Sequence, residues 1–297
     1  MASGGMSIDG APCSPISATC AAGMPMKTDG KNSGVTLTAA IPLEQRGVVR
    51  VGGEYQAFAL DDWWPASGSG MWPYEFINVN DGQRDRLAAF GEWEIRGERW
   101  SNVVGLRFES TDADPVHGYN TNTSPTSGTG GSGNQTRDAA LFNAQSRDRS
   151  DSNWDASWIV RYTPGAGQDY EFGLAQKTRS PNLYERYTWS TWQMAAFMNN
   201  TVGDGNGYFG NVDLKPEVAR TVSLTGDWHD GARERWSVRV TPWYTKVDDF
   251  IDAVQWNSAA NVPQAVPVVD NFTVLRYANQ SARLYGVDFS GEAQLAR

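Results

Sequence analysis

The 297-residue chain lacks any apolar run approaching the roughly 18 residues that a membrane-crossing helix needs. That excludes helical spans but not strand-built ones, because alternation halves the apparent hydropathy of each strand. Mean hydropathy is accordingly low, −0.51. Cysteine is scarce: Cys13 and Cys20 stand close together ahead of the first strand pattern. A disulfide closing that short loop is the plainest reading, and it requires an oxidising compartment. The two histidines, His117 and His229, lie far apart and form neither HExxH nor any other metal spacing. A Gly-rich phosphate loop and a GxSxG elbow are missing too, so no enzymatic activity and no resident cofactor are expected. Basic excess is absent: 25 Lys and Arg against 34 Asp and Glu leave a net charge of −9. Nucleic acid, which requires a basic stripe, is not an expected partner. Met1–Met6 carries no basic segment followed by an apolar one. An exported chain without that leader reads as a fragment.

What is present is a rhythm. Short turns near Leu43–Gly47, Arg96–Arg99, Pro164–Gln168 and His229–Glu234 alternate with long connections near Asp61–Gln83, Thr111–Asn153, Ser180–Lys215 and Val254–Asp270. Antiparallel barrels of the outer membrane keep that order, with short periplasmic turns and long extracellular loops. Between the connections, side chains alternate with the period of two that puts neighbours on opposite faces of a strand. Val218, Val222, Leu224, Gly226 and Trp228 oppose Glu217, Ala219, Thr221, Ser223, Thr225 and Asp227. Leu87, Trp93 and Ile95 oppose Arg86, Glu92 and Glu94, and Tyr285, Val287 and Phe289 oppose Asp288, Ser290 and Glu292. Many of these segments exceed ten residues, whereas soluble strands run to about five or six.

Aromatic residues make up 12% of the chain, with 13 Trp. Trp93 and Trp100 flank one short turn, Tyr162 and Tyr170 the next, Trp228 and Trp236 the last. An aromatic girdle at the periplasmic interface would look like this. About nine strands are expected, the last (Phe272–Ala293) bent near Asn279–Ala282. The fold class is therefore all-β, a partial antiparallel transmembrane barrel with two open edges. Residues 1–33 read as an extracellular loop region and 34–297 as the barrel piece, with Asn120–Gln135 as a loop tip.

Four stretches sharpen this. RSPNLYERY (Arg179–Tyr187), GNVDLKPE (Gly210–Glu217), YTKVDDFIDA (Tyr244–Ala253) and YANQSARLYGVDFSG (Tyr277–Gly291), in that order and spacing, resemble the C-terminal barrel of a TonB-dependent outer-membrane receptor. The resemblance runs from about Val35 to the end. It implies a piece of a 22-stranded type of barrel in the bacterial outer membrane, without the N-terminal plug. It also implies active import of a metal or metal chelate, ferric siderophore or copper. The implied partners are outer-membrane lipid, the transported ligand, and the TonB complex acting through an N-terminal part that this chain does not contain. Alternatives are a passive outer-membrane porin and a secreted soluble β protein that binds carbohydrate through its many Trp.

Candidate ligand contacts are the loop residues Tyr184, Arg186, Trp189 and Trp192 and the lumen residues Arg107 and Arg239. Trp63, Trp64, Trp72 and Tyr74 are further aromatic candidates, with barrel packing as the competing reading. Tyr187–Phe209 contains no histidine, which disfavours haem. Met24 and Met26 in GMPMK, and Met194 and Met198 in WQMAAFMNN, are soft thioethers on polar segments. With Cys13 and Cys20 they form a candidate Cu(I) set, against the plainer reading of a disulfide loop with incidental methionines. GMPMKTDG is itself similar to the copper-receptor branch of the family. The Asp248, Asp249 and Asp252 cluster is expected to be a solvated rim. Pro181 and Pro216 are expected at strand ends, and Gly286 and Gly291 at points of close backbone approach.

Overall fold

A computed structural model describes residues 26–64, 76–113, 132–200, 202–232, 235–269 and 271–294, with the backbone of 5–7, 12–13 and 20–22. Nine long strands run through it: β1 (Lys27–Pro42), β2 (Val48–Trp64), β3 (Phe76–Arg96), β4 (Trp100–Ala113), β5 (Arg149–Gly165), β6 (Gln168–Arg179), β7 (Glu217–His229), β8 (Trp236–Asn257) and β9 (Val274–Ala293). Each pairs antiparallel with its neighbours in chain order. Gly207–Phe209, parallel to β9, and Val262–Pro263, beside β8, complete an eleven-stranded sheet. The sheet is open, with β1 at one edge and Gly207–Phe209 at the other. Among the described residues three α-helices lie in the long connections, α1 (Ser132–Asn143), α2 (Leu183–Tyr187) and α3 (Gln193–Met198), and a 3-10 turn (Glu44–Arg46) lies in a short one. None of the described helices is long and apolar enough to cross a membrane.

The alternation of turns is as the sequence implies. Segments 43–47, 97–99 and 166–167 are short and join consecutive strands at one end; the far ends of the strands, at Trp64 and Phe76, Ala113 and Arg149, Arg179 and Glu217, and Asn257 and Val274, are bridged by longer stretches. The strands, however, overrun the expected loops. β2 reaches Trp64, β3 begins at Phe76, and β8 continues to Asn257. β1 begins at Lys27, and its polar start KTDGKNS pairs residue by residue with Ala57–Trp63. Beyond the apolar belt the outward side chains need not be apolar, so alternation fades while backbone pairing continues. The bend expected in β9 belongs to its partner. β9 is continuous, and the register with β8 slips between Val247 and Phe250, where Asp249 has φ +53°. An extra residue in one strand of an antiparallel pair produces such a local kink.

Register sorts the two faces. One row of residues crosses the sheet from β2 to β9: Val49, Trp93, Val104, Trp158, Leu174, Val222, Tyr244 and Tyr285. Row after row of this face is apolar and exposed, with Leu37 at 71%, Phe289 at 72% and Tyr285 at 78%. Monomers in water rarely expose contiguous apolar patches of more than a few hundred Å². A face this large requires lipid. At its short-turn end Trp100 stacks on Tyr162 (4.3 Å) and Tyr170 meets Trp228 edge-on (6.1 Å), forming the girdle. The opposite face is polar and ion-paired.

Candidate functional site

The long connections fold inward over the external end of the polar face. Leu60, Trp64, Phe76 and Val79 of β2 and β3 meet Ala139 and Phe142 of α1, Leu183 and Tyr187 of α2, and Trp189 in one buried cluster. Phe76 lies between Trp64 and Trp189, with centroids 4.5 and 5.1 Å away. These aromatics pack the ends of β2 and β3 against the segment after α2. Tyr187 donates its hydroxyl hydrogen to the Arg147 carbonyl (2.9 Å), and burial pushes its phenol up to about 12. Burial, reinforced by the Asp62 carboxylate, likewise pushes Tyr184 up to about 12.

The motif residues are the fasteners of this cap. Asn182 caps α2 by accepting from the Glu185 N–H, while the Glu185 carboxylate accepts from the Asn182 N–H. Such a reciprocal box satisfies two orphan donors of the helix start. Arg179 grips Glu185 (2.9 Å) and Glu217 (2.7 Å), tying both ends of the 180–216 connection together. Arg186 is 2% exposed; it pairs with Asp151 (2.9 Å) and donates to the Leu214 carbonyl (2.9 Å). Asn279 accepts from the Lys215 N–H and donates to the Lys215 and Asp249 carbonyls, so the fourth motif locks the second and third. Gly210 lies so close to Arg186 and Thr188 that a Cβ would approach backbone at 2.7 Å. Pro181 and Pro216 stand just beyond β6 and just before β7, as expected. Gly286 lies under the Trp243 ring, 3.0 Å from a would-be Cβ, whereas Gly291 meets nothing nearer than 3.6 Å. Asp248 is paired with Arg220 and Lys246 rather than freely solvated.

Below the cap the polar face forms a cavity of about 340 Å³. Its walls carry Arg84, Arg86, Arg107, Lys177 and Arg179 against Glu54, Glu109 and Asp155. Arg107 reaches Glu109 (3.0 Å) and Glu54 (3.3 Å), Arg86 reaches Glu109 (2.7 Å), and Lys177 reaches Asp155 (3.2 Å). Arg84 donates to the Pro181 carbonyl at 3.4 Å, which ties the wall to the cap. The Nε–H groups of Arg84 and Arg86 are buried without a hydrogen-bond partner. Among the lining residues cations outnumber carboxylates five to three, although Arg179 is also held by Glu185 and Glu217, and a cluster of guanidinium groups of this kind is suited to an anion. Among the described residues no group of three or more His, Cys, Asp or Glu side chains is placed to hold a metal ion.

The sequence-based candidates scatter. Arg107 lines the cavity. Arg239 lies near the short-turn end, bound to Asp227 at 2.7 Å. Arg186 and Trp189 are buried in the cap, where the Trp189 indole donates to the Ile77 carbonyl (3.2 Å). Tyr184 and Trp192 are half-buried against the same cluster. Met26 is exposed just before β1, Met194 is half-buried in α3, and Met198 packs on the cap. Met24, Trp72, Tyr74, His117 and the side chains of Cys13 and Cys20 lie outside the described residues. The backbone of Cys13 and Cys20 flanks Gly5–Ser7 in a small three-stranded sheet. Arg84, Arg86 and Lys177 were not foreseen as site residues. Alternation puts them on the polar face, but only register brings them to one level.

Comparison with known proteins bears on the whole chain. The family model described as "TonB dependent receptor-like, beta-barrel" matches residues 17–296. No curated protein sequence matches. Among solved structures, the chain is similar to the copper transporter OprC (TM-score 0.59, 14% identity, 92% of this chain and 36% of that one). It is similar also to the FrpB iron transporter from Neisseria meningitidis (TM-score 0.55, 13% identity, 91% and 34%). A third is the siderophore receptor PirA from Pseudomonas aeruginosa (TM-score 0.51, 17% identity, 88% and 39%). The chain therefore spans between a third and two fifths of the length of these receptors.

Proposed function

From the premise that the chain belongs to the TonB-dependent receptor β-barrel family, of the bacterial outer membrane, we propose that the receptor carrying it imports an anionic metal chelate. Import is ligand-gated and driven from the periplasm through TonB. The observation that carries this reading is the basic cavity beneath the loop cap. Five cationic side chains and three carboxylates line it, with Arg179 held in addition by Glu185 and Glu217. A ferric chelate bearing carboxylate or catecholate oxygens carries the negative charge and the acceptors that the guanidinium groups of this wall recognise. Arg86 and Arg107 would clamp it, and the aromatics of the cap would screen it from bulk water.

The experiment is a binding titration of the complete receptor with a panel of ferric chelates. Arg86→Gln and Arg107→Gln are expected to weaken the preferred chelate about tenfold each, the value of roughly one charge-assisted hydrogen bond. Unchanged affinity in both variants contradicts the assignment.

One observation favours copper as a second reading. Side-chain hydrogen bonds run from Thr28 to Asp62 (3.0 Å), from Asn78 to Asp62 (2.6 Å) and from Asn78 to Asn199 (2.7 Å). They link Thr28, two residues after Met26, to Asn199, which follows Met198. Met24, Met26, Met194 and Met198 would then supply the soft donors that Cu(I) prefers. Replacing Met26 and Met198 by Leu would weaken Cu(I) and leave ferric chelates untouched.

A further inference from the structure

On β6 to β9 the exposed apolar face is interrupted by a row of polar and cationic side chains. Gln176, Arg220, Lys246 and Arg283 stand side by side on β6, β7, β8 and β9 in continuous register. They share the outward face with Val222, Tyr244 and Tyr285, one step towards the short-turn end. Lys246 lies ten residues along β8 from the girdle residue Trp236. At about 3.3 Å per residue and a tilt near 40°, that separation is about 25 Å along the membrane normal, the height of the apolar band of such barrels. The cationic row therefore sits at the external edge of the band, at the headgroups of the outer leaflet. Arg220 and Lys246 are half exposed, and Arg283 is exposed. Asp248 offsets part of the charge, 2.5 Å from Arg220 and 2.8 Å from Lys246. A net positive row remains.

Directly below it the lipid face is hollow. A groove of about 580 Å³ runs across β4 to β8, walled by Leu106, Trp158, Leu174, Val222 and Tyr244. Ala156 contributes a small side chain at its centre, and Gln176, Arg220 and Lys246 form its rim. An apolar trough that opens onto a row of cations fits an acyl chain continuous with a phosphorylated headgroup. Arginine binds phosphate oxygens bidentately, and clustered cations near a membrane surface recruit anionic lipid.

We infer that this groove and the Arg220–Lys246–Arg283 row form a binding site for a phosphorylated lipid of the outer leaflet, seated on the outside of the barrel wall. The site is separate from the cavity assigned to the imported chelate and stands whether or not that assignment does.

The test is native mass spectrometry of the complete receptor in detergent, titrated with bisphosphorylated lipid A, its dephosphorylated form, and phosphatidylcholine. The receptor is expected to bind lipid A in preference to both others. The combined Arg220→Gln, Lys246→Gln and Arg283→Gln variant is expected to lose about tenfold or more of that affinity. Ala156→Phe, which fills the groove and keeps every charge, is expected to weaken lipid A as well. Equal affinity for phosphorylated and dephosphorylated lipid A would overturn the site. So would displacement of the lipid by millimolar inorganic phosphate, or full retention by a triple variant that still migrates as a folded barrel. Should the triple variant not fold, Arg283→Gln alone leaves the Asp248 contacts intact; it is expected to lose about threefold, and no loss counts against the site.

Discussion

At the short-turn end of the sheet, strands are joined by 166–167 or 97–99, and the chain does little but reverse. Aromatics mark the lipid boundary there, and Asp227 with Arg239 supplies an ion pair on the polar face. At the other end the connections are long, carry the α-helices of the described residues and bury a core of their own. The same strands run through both ends, so the difference lies in what covers each face. Near the turns, lipid covers one face and the lumen the other, and simple alternation satisfies both. At the mouth, protein covers the polar face, and the residues must fit particular neighbours. The membrane thus specifies a pattern, whereas the mouth specifies individual side chains.

Substitutions can break that contrast, and the largest effect is expected at the mouth. Arg186→Ala would leave Asp151 buried and uncompensated, at a cost of about 3–5 kcal/mol. Limited proteolysis of the complete receptor should then cut within 180–216 while the barrel stays folded. Resistance equal to wild type would show that the cap does not depend on this pair. Next in size is the face rule itself. Leu224→Arg puts a charge on the lipid face and should cost about 2–4 kcal/mol if near the bilayer midplane. Thr225→Arg, one residue on and facing the lumen, should be nearly neutral in the same chemical-unfolding assay. Equal costs would mean the faces are misassigned. Asn182→Ala removes the α2 cap and should cost about 1 kcal/mol, seen as faster hydrogen exchange confined to 182–188. Exchange that is unchanged there would deny the cap its role.

The smallest effect at neutral pH is a titration. Tyr184 and Tyr187 have folded pKa values pushed up to about 12, above the unfolded value of 10.0. Their protonated forms are favoured by folding, so the associated stability is complete below pH 10 and lost as pH rises towards 12. Tyrosinate absorbance of these two residues should appear only above the range of exposed phenols, together with loosening of the cap. Titration of every phenol near pH 10 would contradict their burial.

Legibility in the sequence follows the same division. Alternation in Glu217–His229 and Trp236–Tyr244 reveals strands, faces and the girdle, because period two is a local property. Polar KTDGKNS looks like loop and is strand, because it lies beyond the lipid and is held to β2 by backbone pairing and polar side-chain bonds rather than by an apolar face. RSPNLYERY and GNVDLKPE mark the family, yet Arg186 and Trp189 read equally well as ligand contacts until Asp151 and Phe76 are seen against them. The cavity residues Arg84, Arg86 and Lys177 come from β3 and β6, and their shared level depends on pairing register, which no single strand encodes.

In the proposed function, the mouth and its basic cavity admit an anionic metal chelate for energised import. The most direct measurement is uptake of radiolabelled ferric chelate by cells whose complete receptor is either wild type or Arg86→Gln, with and without the proton-motive force. Uptake is expected to be saturable and abolished when the force is collapsed, and the variant is expected to need about tenfold more chelate for half-maximal uptake. Uptake that persists without the force and ignores Arg86 would describe a passive pore and contradict it.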